Sequence, residues 1–214
     1  AALNCYLELA EAGMNPRPLH IVSFENDLDS LRLALLHPVK FPHLKHGAPH
    51  TVASEGTWAS RQFPVRWTLL EGDFLARLAE APAPDVIFFD PFSYKADSEL
   101  WTVKTFERVF AACGNRPTAL FTYTASTAVR AALLAAGFYV ARGAGTGAKQ
   151  ETTVALHPVA AEDSPTYPLL AQEWLARWTA SSAKFPAGLE LAAQADFEAV
   201  ILGHSQFARR NNQQ

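Results

Sequence analysis

The sequence predicts an α/β fold, a mostly parallel sheet with helices on both faces, and three observations predict it. Short continuous apolar runs, such as residues 19–24 (LHIVSF) and 86–89 (VIFF), recur along the chain. Each is followed by a stretch whose apolar residues return at helical spacing. The runs lack the polar alternation of half-exposed strands, so they read as strands covered on both sides, and strands joined through helices pair in parallel.

Taken in order, Leu3, Leu7, Ala10 and Met14 recur at helical spacing, and Gly13 with Pro16 supplies a stop. The helix lacks its natural beginning, because the first residue, Ala1, already lies within it. Residues 19–24 form the first strand, and Asp27 or Asp29 caps a helix reaching about His37. Residues 37–64 are rich in His, Pro and Gly with no period, and read as a long loop or insertion at the sheet edge. The rhythm resumes with a strand at 65–70, a helix at 73–81, a strand at 86–89 and a helix at about 98–112. It continues with a strand at 118–123, a helix at 126–135 closed by Gly137, and strands at 138–141 and 152–156. Past His157 the strand signal stops. Two helices at 169–179 and 189–202 flank the linker SSAKFPAG, and 209–214 is a polar tail. The expected division is therefore 1–157 and a helical extension over 158–214.

Composition limits the function classes. The chain has 214 residues, 49% apolar and 18% charged, enough for a packed core and too little charge for disorder. Its formal charge of −3 gives no global electrostatic argument for nucleic acid. Cys5 and Cys113 are too few for a disulfide framework and form no CxxC pair, which points to a reducing, cytoplasmic setting. No apolar run reaches the ~20 residues of a membrane helix, so no membrane partner is expected. His37, His43, His46 and His50 are close in sequence but lack cysteines and HExxH spacing, so no metal is expected. Oligomeric state is left open.

Ligands of doubly wound sheets bind at the carboxyl ends of strands, and three such positions are acidic: Glu25, Asp73 and Asp90. A carboxylate after the second strand of a nucleotide-binding fold accepts both ribose hydroxyls, and one after the third accepts from an adenine amino group, with Gly72 permitting close backbone approach. The plain alternative is that Asp73 caps its helix, Glu25 is a solvated turn residue and Asp90 caps a loop. Asp90 with Phe92 or Tyr94 suits a flat amine-bearing substrate, Phe92 serving equally well as a core plug. Trp101 either roofs a pocket or packs in the core. Residues 143–149 (GAGTGAK) read as an anion-contacting loop ending in Lys149 or as a hairpin loop, and lack P-loop order. Cys113 reads as a small buried hydrophobe.

In combination, the segments IVSFE at 21–25, Gly72-Asp73, VIFFDPF at 86–92, Glu99-Leu100-Trp101, FTYT at 121–124, Ala136-Gly137-Phe138 and the glycine loop with Lys149 resemble the S-adenosylmethionine-dependent methyltransferases of the tRNA 5-methylaminomethyl-2-thiouridine family. The resemblance covers about residues 1–156. It implies a Rossmann-like class I methyltransferase fold, S-adenosyl-L-methionine as cofactor, and methyl transfer to an amine nitrogen of a modified wobble uridine in tRNA. It implies cofactor contacts from Glu25, Gly72, Asp73 and Asp90, a catalytic role for Asp90, and substrate contacts from Phe92, Trp101 and Lys149. The family's glycine-rich loop is expected just before Ala1. The chain departs from the pattern at Pro91, where a small residue is common, and at Gln150, where a second basic residue is frequent. Other readings of the residues are a methyltransferase for a metabolite or protein amine, a nicotinamide-dependent oxidoreductase, and a non-catalytic nucleoside- or partner-binding domain.

Overall fold

The computed structural model describes residues 2–91, 97–145, 150–162 and 166–208. The chain divides into two compact units, Ala1–Ala81 and Pro82–Gln214.

The first unit contains α1 (Ala2–Glu11), β1 (Leu19–Glu25), α2 (Asp29–Leu35), α3 (Gly47–Glu55), β2 (Thr57–Ala59), β3 (Val65–Glu71) and α4 (Phe74–Arg77). β1 and β3 pair in parallel from Leu19↔Val65 to Glu25↔Glu71, so the two strands end side by side. β2 pairs antiparallel with the other edge of β3. Residues 60–64 are too few for the crossover of a dozen or so residues that parallel pairing needs, so the chain can only double back. Leu3 and Tyr6 are nearly one turn apart on α1 and close over Ala48 of α3 and Val65 of β3.

The unperiodic stretch 37–64 is more ordered than its sequence suggests. It holds a short 3-10 turn at Pro42–Leu44, then α3 and the edge strand β2. α3 escapes a periodicity test because it buries only Ala48, Pro49 and Val52. Its Pro lies in the first turn, where the missing N–H costs no helical bond. Its cap is the His46 ring, whose Nδ1 accepts from the Ala48 N–H at 3.0 Å. The expected helix at 73–81 is a single turn, α4, followed by a 3-10 turn at Leu78–Glu80.

The second unit contains β4 (Val86–Phe88), α5 (Val103–Cys113), β5 (Ala119–Thr122), α6 (Thr127–Ala135), β6 (Tyr139–Ala144), β7 (Glu151–Leu156), α7 (Pro158–Glu162), α8 (Gln172–Ala180), α9 (Gln194–Leu202) and α10 (Ser205–Ala208). Its strand order is β4-β5-β7-β6, with β4 and β5 parallel and the other two pairs antiparallel. The mostly parallel expectation therefore holds for β1–β3 and β4–β5 and for the direction of β6, which follows α6 and runs the same way as β5, and gives way at β2 and β7, each antiparallel to its neighbours. Phe106, Val109 and Cys113 are buried along α5 at spacings of three and four. The helix expected from about Ser98 begins later. Glu99–Trp101 is a 3-10 turn, and Thr102 is extended (ψ 161°) and caps α5 through its Oγ1, which accepts from the Thr105 N–H.

Two features of this unit lie beyond sequence patterning. Gly143, expected in a loop, is inside β6, where an added Cβ would collide with Thr152 Oγ1. Leu169 and Leu170, expected to open a helix, instead run along the outer edge of β6. The Leu170 N–H donates to Val140 C=O at 2.8 Å and the Arg142 N–H to Pro168 C=O at 3.0 Å. Gln206 extends this edge. Its Oε1 accepts from the Val140 N–H (2.7 Å), and its Nε2 donates to the carbonyls of Val140 (3.0 Å) and Leu170 (2.8 Å). Trp174 stacks on Phe207 nearby, with the rings 6.1 Å apart and 7° from parallel.

Candidate active site

The carboxyl ends of β1 and β3 form one cluster. The Gly72 N–H donates to Glu25 C=O at 2.8 Å, extending the ladder one residue past the paired strands. Gly72 has φ +131°, a conformation L side chains rarely adopt, so the turn out of β3 favours glycine there. Glu25 is exposed, and its Oε1 accepts from the backbone N–H groups of Asn26 (3.0 Å) and Asp27 (3.3 Å). Asp73 Oδ1 accepts from the Ala76 N–H at 2.7 Å, so the capping alternative is realised at this residue. Among the described residues Glu25 Oε2 and Asp73 Oδ2 take no hydrogen bond, which leaves each acid one outward acceptor.

The carboxyl end of β4 belongs to the second unit. The Phe89 N–H donates to Phe121 C=O at 2.8 Å, prolonging the β4–β5 pairing, and its ring packs against Trp101 (5.4 Å) and Phe106 (5.3 Å). Phe89 is thereby fixed in the core while the next residue, Asp90, is exposed. Beside it is Tyr123, half-buried just past β5, whose hydroxyl donates to Pro91 C=O at 3.4 Å. Burial first, and the negative charge of Asp90 second, push the Tyr123 phenol above its ordinary pKa, so it stays a neutral donor near neutrality. Thr122, the last residue of β5, is 5% exposed, and its hydroxyl has no hydrogen-bond partner among the described residues. An orphaned buried hydroxyl costs about 1–3 kcal/mol.

The structure thus brings Glu25, Gly72 and Asp73 together in one unit and sets Asp90 at a strand end in the other. Trp101 is 1% exposed and meets Phe89, Phe106 and Tyr123 edge-on or nearly so. Its core alternative is the one observed, and the substrate contact expected of it gives way to support of Phe89 and Tyr123. Phe92 and Lys149 lie outside the described residues. Sequence reasoning assigned no role to Tyr123 or Thr122. The available signal was their place at the end of the strand that pairs with the Asp90-bearing one.

The acceptor set suits an adenosine-containing cofactor, because ribose hydroxyls and an adenine amino group are donors and the two outward carboxylate oxygens are acceptors. A cavity of about 370 Å³ in the first unit, lined by Leu19, His20, Ser60, Phe63 and Arg66 among others, lies at the opposite, amino-terminal end of β1 and β3 and is not part of this cluster. Among the described residues no three His, Cys, Asp or Glu side chains converge as a metal site, and no helix is long and apolar enough to cross a membrane.

Residues 43–158 match a family described as S-adenosyl-L-methionine-dependent methyltransferases, and that match spans more than half of the chain. The chain belongs to this family. S-adenosyl-L-methionine is the family's cofactor, and methyl transfer is its chemistry. The tRNA 5-methylaminomethyl-2-thiouridine biosynthesis bifunctional protein MnmC of Polaromonas naphthalenivorans is 34% identical over 152 residues, covering 64% of this chain and 23% of that protein. The protein of the same name from Paracidovorax citrulli is 34% identical over 147 residues, covering 68% of this chain and 22% of that one. The chain therefore spans under a quarter of the length of these curated relatives. The crystal structure of MnmC2 from Aquifex aeolicus superposes with a TM-score of 0.55 at 21% identity, covering 95% of this chain and 71% of that one, a likeness of fold.

Proposed function

We propose that the chain transfers a methyl group from S-adenosyl-L-methionine to the exocyclic amine of a 5-aminomethyl-2-thiouridine at the wobble position of tRNA. The observation that carries this reading is the 34% identity over 152 residues to a protein of tRNA 5-methylaminomethyl-2-thiouridine biosynthesis. The exposed carboxylate of Asp90 at the end of β4 supports it, since an amine acceptor needs such a group. The cytoplasmic setting inferred from the free cysteines Cys5 and Cys113 suits a tRNA acceptor. In this reading residues 1–157 are the methyltransferase domain and 158–214 an extension, whose Leu170 and Gln206 bond to the edge of β6.

When bound, the cofactor supplies an electrophilic methyl on a sulfonium, so the nitrogen lone pair forms the C–N bond while the C–S electron pair returns to sulfur. The chain's residues then have separate tasks. Glu25 accepts from the ribose hydroxyls through Oε2, its Oε1 already held by two amides. Asp73 accepts from the adenine amino group through Oδ2, and Gly72 keeps the backbone between them free of a side chain. Asp90 accepts an N–H of the substrate amine, aims the lone pair, and takes the proton released as the nitrogen is alkylated. Tyr123, whose hydroxyl donates to Pro91 C=O, positions the turn that carries Asp90.

The test is methyl transfer from labelled S-adenosyl-L-methionine to tRNA carrying 5-aminomethyl-2-thiouridine, followed by nucleoside mass spectrometry. The expected product is the methylaminomethyl nucleoside, with no label in tRNA bearing an unmodified uridine. Label on neither tRNA, with methylation of a free or protein amine, overturns the tRNA assignment.

A further inference from the structure

We propose that the exposed stretch 36–47 of the first unit is an RNA-docking surface that contacts phosphates through Lys40 and Lys45 and stacks a base on Phe41. The inference rests on the tRNA reading for the identity of the RNA and stands on its own observations for the surface.

The first observation is charge segregation. Between Asp29 and Glu55 the chain carries Arg32, Lys40 and Lys45 and no acidic residue, although its net charge is −3. Of the nine acids of this unit, Glu25, Asp27, Asp29, Glu71 and Asp73 lie at or just past the carboxyl ends of β1 and β3, whereas Glu8, Glu11, Glu55 and Glu80 lie elsewhere. A polyanion is thus repelled at one place and attracted at another, an arrangement that sets docking orientation. The second observation is that the two lysines are uncompensated. Arg32 pairs with Asp29 and Arg77 with Glu80, whereas Lys40 and Lys45 form no ion pair among the described residues.

The third observation is that the surface is preformed and carries flat apolar groups. The Lys40 and Phe41 N–H groups both donate to His37 C=O (2.9 and 3.1 Å), the Leu44 N–H to Phe41 C=O (3.0 Å) and the Lys45 N–H to Pro42 C=O (3.3 Å). Asn4 Nδ2 of α1 donates to His43 C=O at 3.2 Å, which ties the turn to the helix. On this frame Val39 is 89% and Phe41 37% exposed, and the Phe41 and His43 rings lie edge to face 6.2 Å apart. Point cations beside an exposed aromatic ring are what single-stranded RNA loops use, phosphates meeting the ammonium groups and an unstacked base meeting the ring. An anionic membrane would use the same lysines with the exposed Leu36 and Val39, and vesicle binding is therefore the competing outcome of the test.

The test is fluorescence anisotropy of the full chain with labelled tRNA carrying 5-aminomethyl-2-thiouridine, across a salt series. Lys40→Glu with Lys45→Glu is expected to weaken binding at least about tenfold and to reduce the slope of log affinity against log salt by about two. Phe41→Ala is expected to weaken binding about fivefold or more with the slope unchanged. Lys40→Gln with Lys45→Gln, checked by circular dichroism, gives the same reduction in slope without introducing repulsion. Unchanged affinity and slope in the lysine variants overturn the proposal, as does wild-type chain that binds phosphatidylserine vesicles and not tRNA. Because binding is read without turnover, tRNA affinity that falls in the lysine variants while the wild-type chain transfers no methyl supports the surface and sinks only the acceptor assignment.

Discussion

The strand ends of the two units carry the same kind of residue and hold it differently. At the end of β1 the Glu25 carboxylate is fixed by two backbone amides, and at the end of β3 Asp73 is fixed by one. At the end of β4, Asp90 follows a buried Phe89, and among the described residues its neighbour is the Tyr123 phenol, with no amide held by its carboxylate. A carboxylate clamped by N–H groups makes a rigid acceptor for a ligand that only binds. A carboxylate left free of such clamps is better suited to a group whose protonation changes during reaction.

That contrast breaks most visibly at Asp90. Asp90→Asn is expected to lower kcat by about 10²–10⁴-fold while the Kd for S-adenosyl-L-methionine stays within a few-fold, measured by single-turnover kinetics and calorimetry. Weakened cofactor binding with normal kcat would reverse the roles. Next in size is Glu25→Ala, which removes hydrogen bonds to a charged acceptor worth about 1.5–3 kcal/mol each and is expected to raise the cofactor Kd by about tenfold to a hundredfold. At Asp73 the cap and the ligand contact can be separated. Asp73→Ala is expected to cost about 1 kcal/mol of stability in urea unfolding, whereas Asp73→Asn keeps the cap and weakens only the cofactor. An Asp73→Asn variant with normal affinity leaves this residue as a cap alone.

The smallest effect removes a confounder from any pH profile of these acids. Burial lowers the pKa of His204 below 6.5, and burial with the Arg66 charge lowers that of His20. Since both bind protons more readily unfolded, stability is full above about 6.5 and declines as pH falls from there toward the folded values. The melting temperature is expected to drop between about pH 7 and pH 5, and His204→Gln to shrink that drop to the share of His20. A drop unchanged by His204→Gln would place the effect elsewhere.

Much of this was legible in residue order. The runs at 19–24, 65–70 and 86–89 became β1, β3 and β4, and the acids after them fell at strand ends as expected, but the two-sided cover expected of them fails at β4, where Val86 and Phe88 are exposed. α3 was not legible, because a histidine caps it and a proline opens it, neither of which marks a helix by periodicity. Gly143 looked like part of a glycine loop because the partner that requires it, Thr152, comes nine residues later across a hairpin. Trp101 was ambiguous because only the packing of Phe89, Phe106 and Tyr123 around it decides between roof and core. Tyr123 matters through a neighbour on a parallel strand, a relation that no local pattern encodes.

The Gln206 amide has a consequence for solubility. An outer strand with open N–H and C=O groups is a template onto which another chain's strand can grow, and β6 would offer such a template at Val140. The Gln206 carboxamide, presenting an acceptor and a donor like a borrowed peptide unit, completes at Val140 the closure that Leu170 begins. Gln206→Glu keeps the size but loses the donors. Its expected signature is self-association on mild warming, ahead of any loss of helix content, read by light scattering beside circular dichroism.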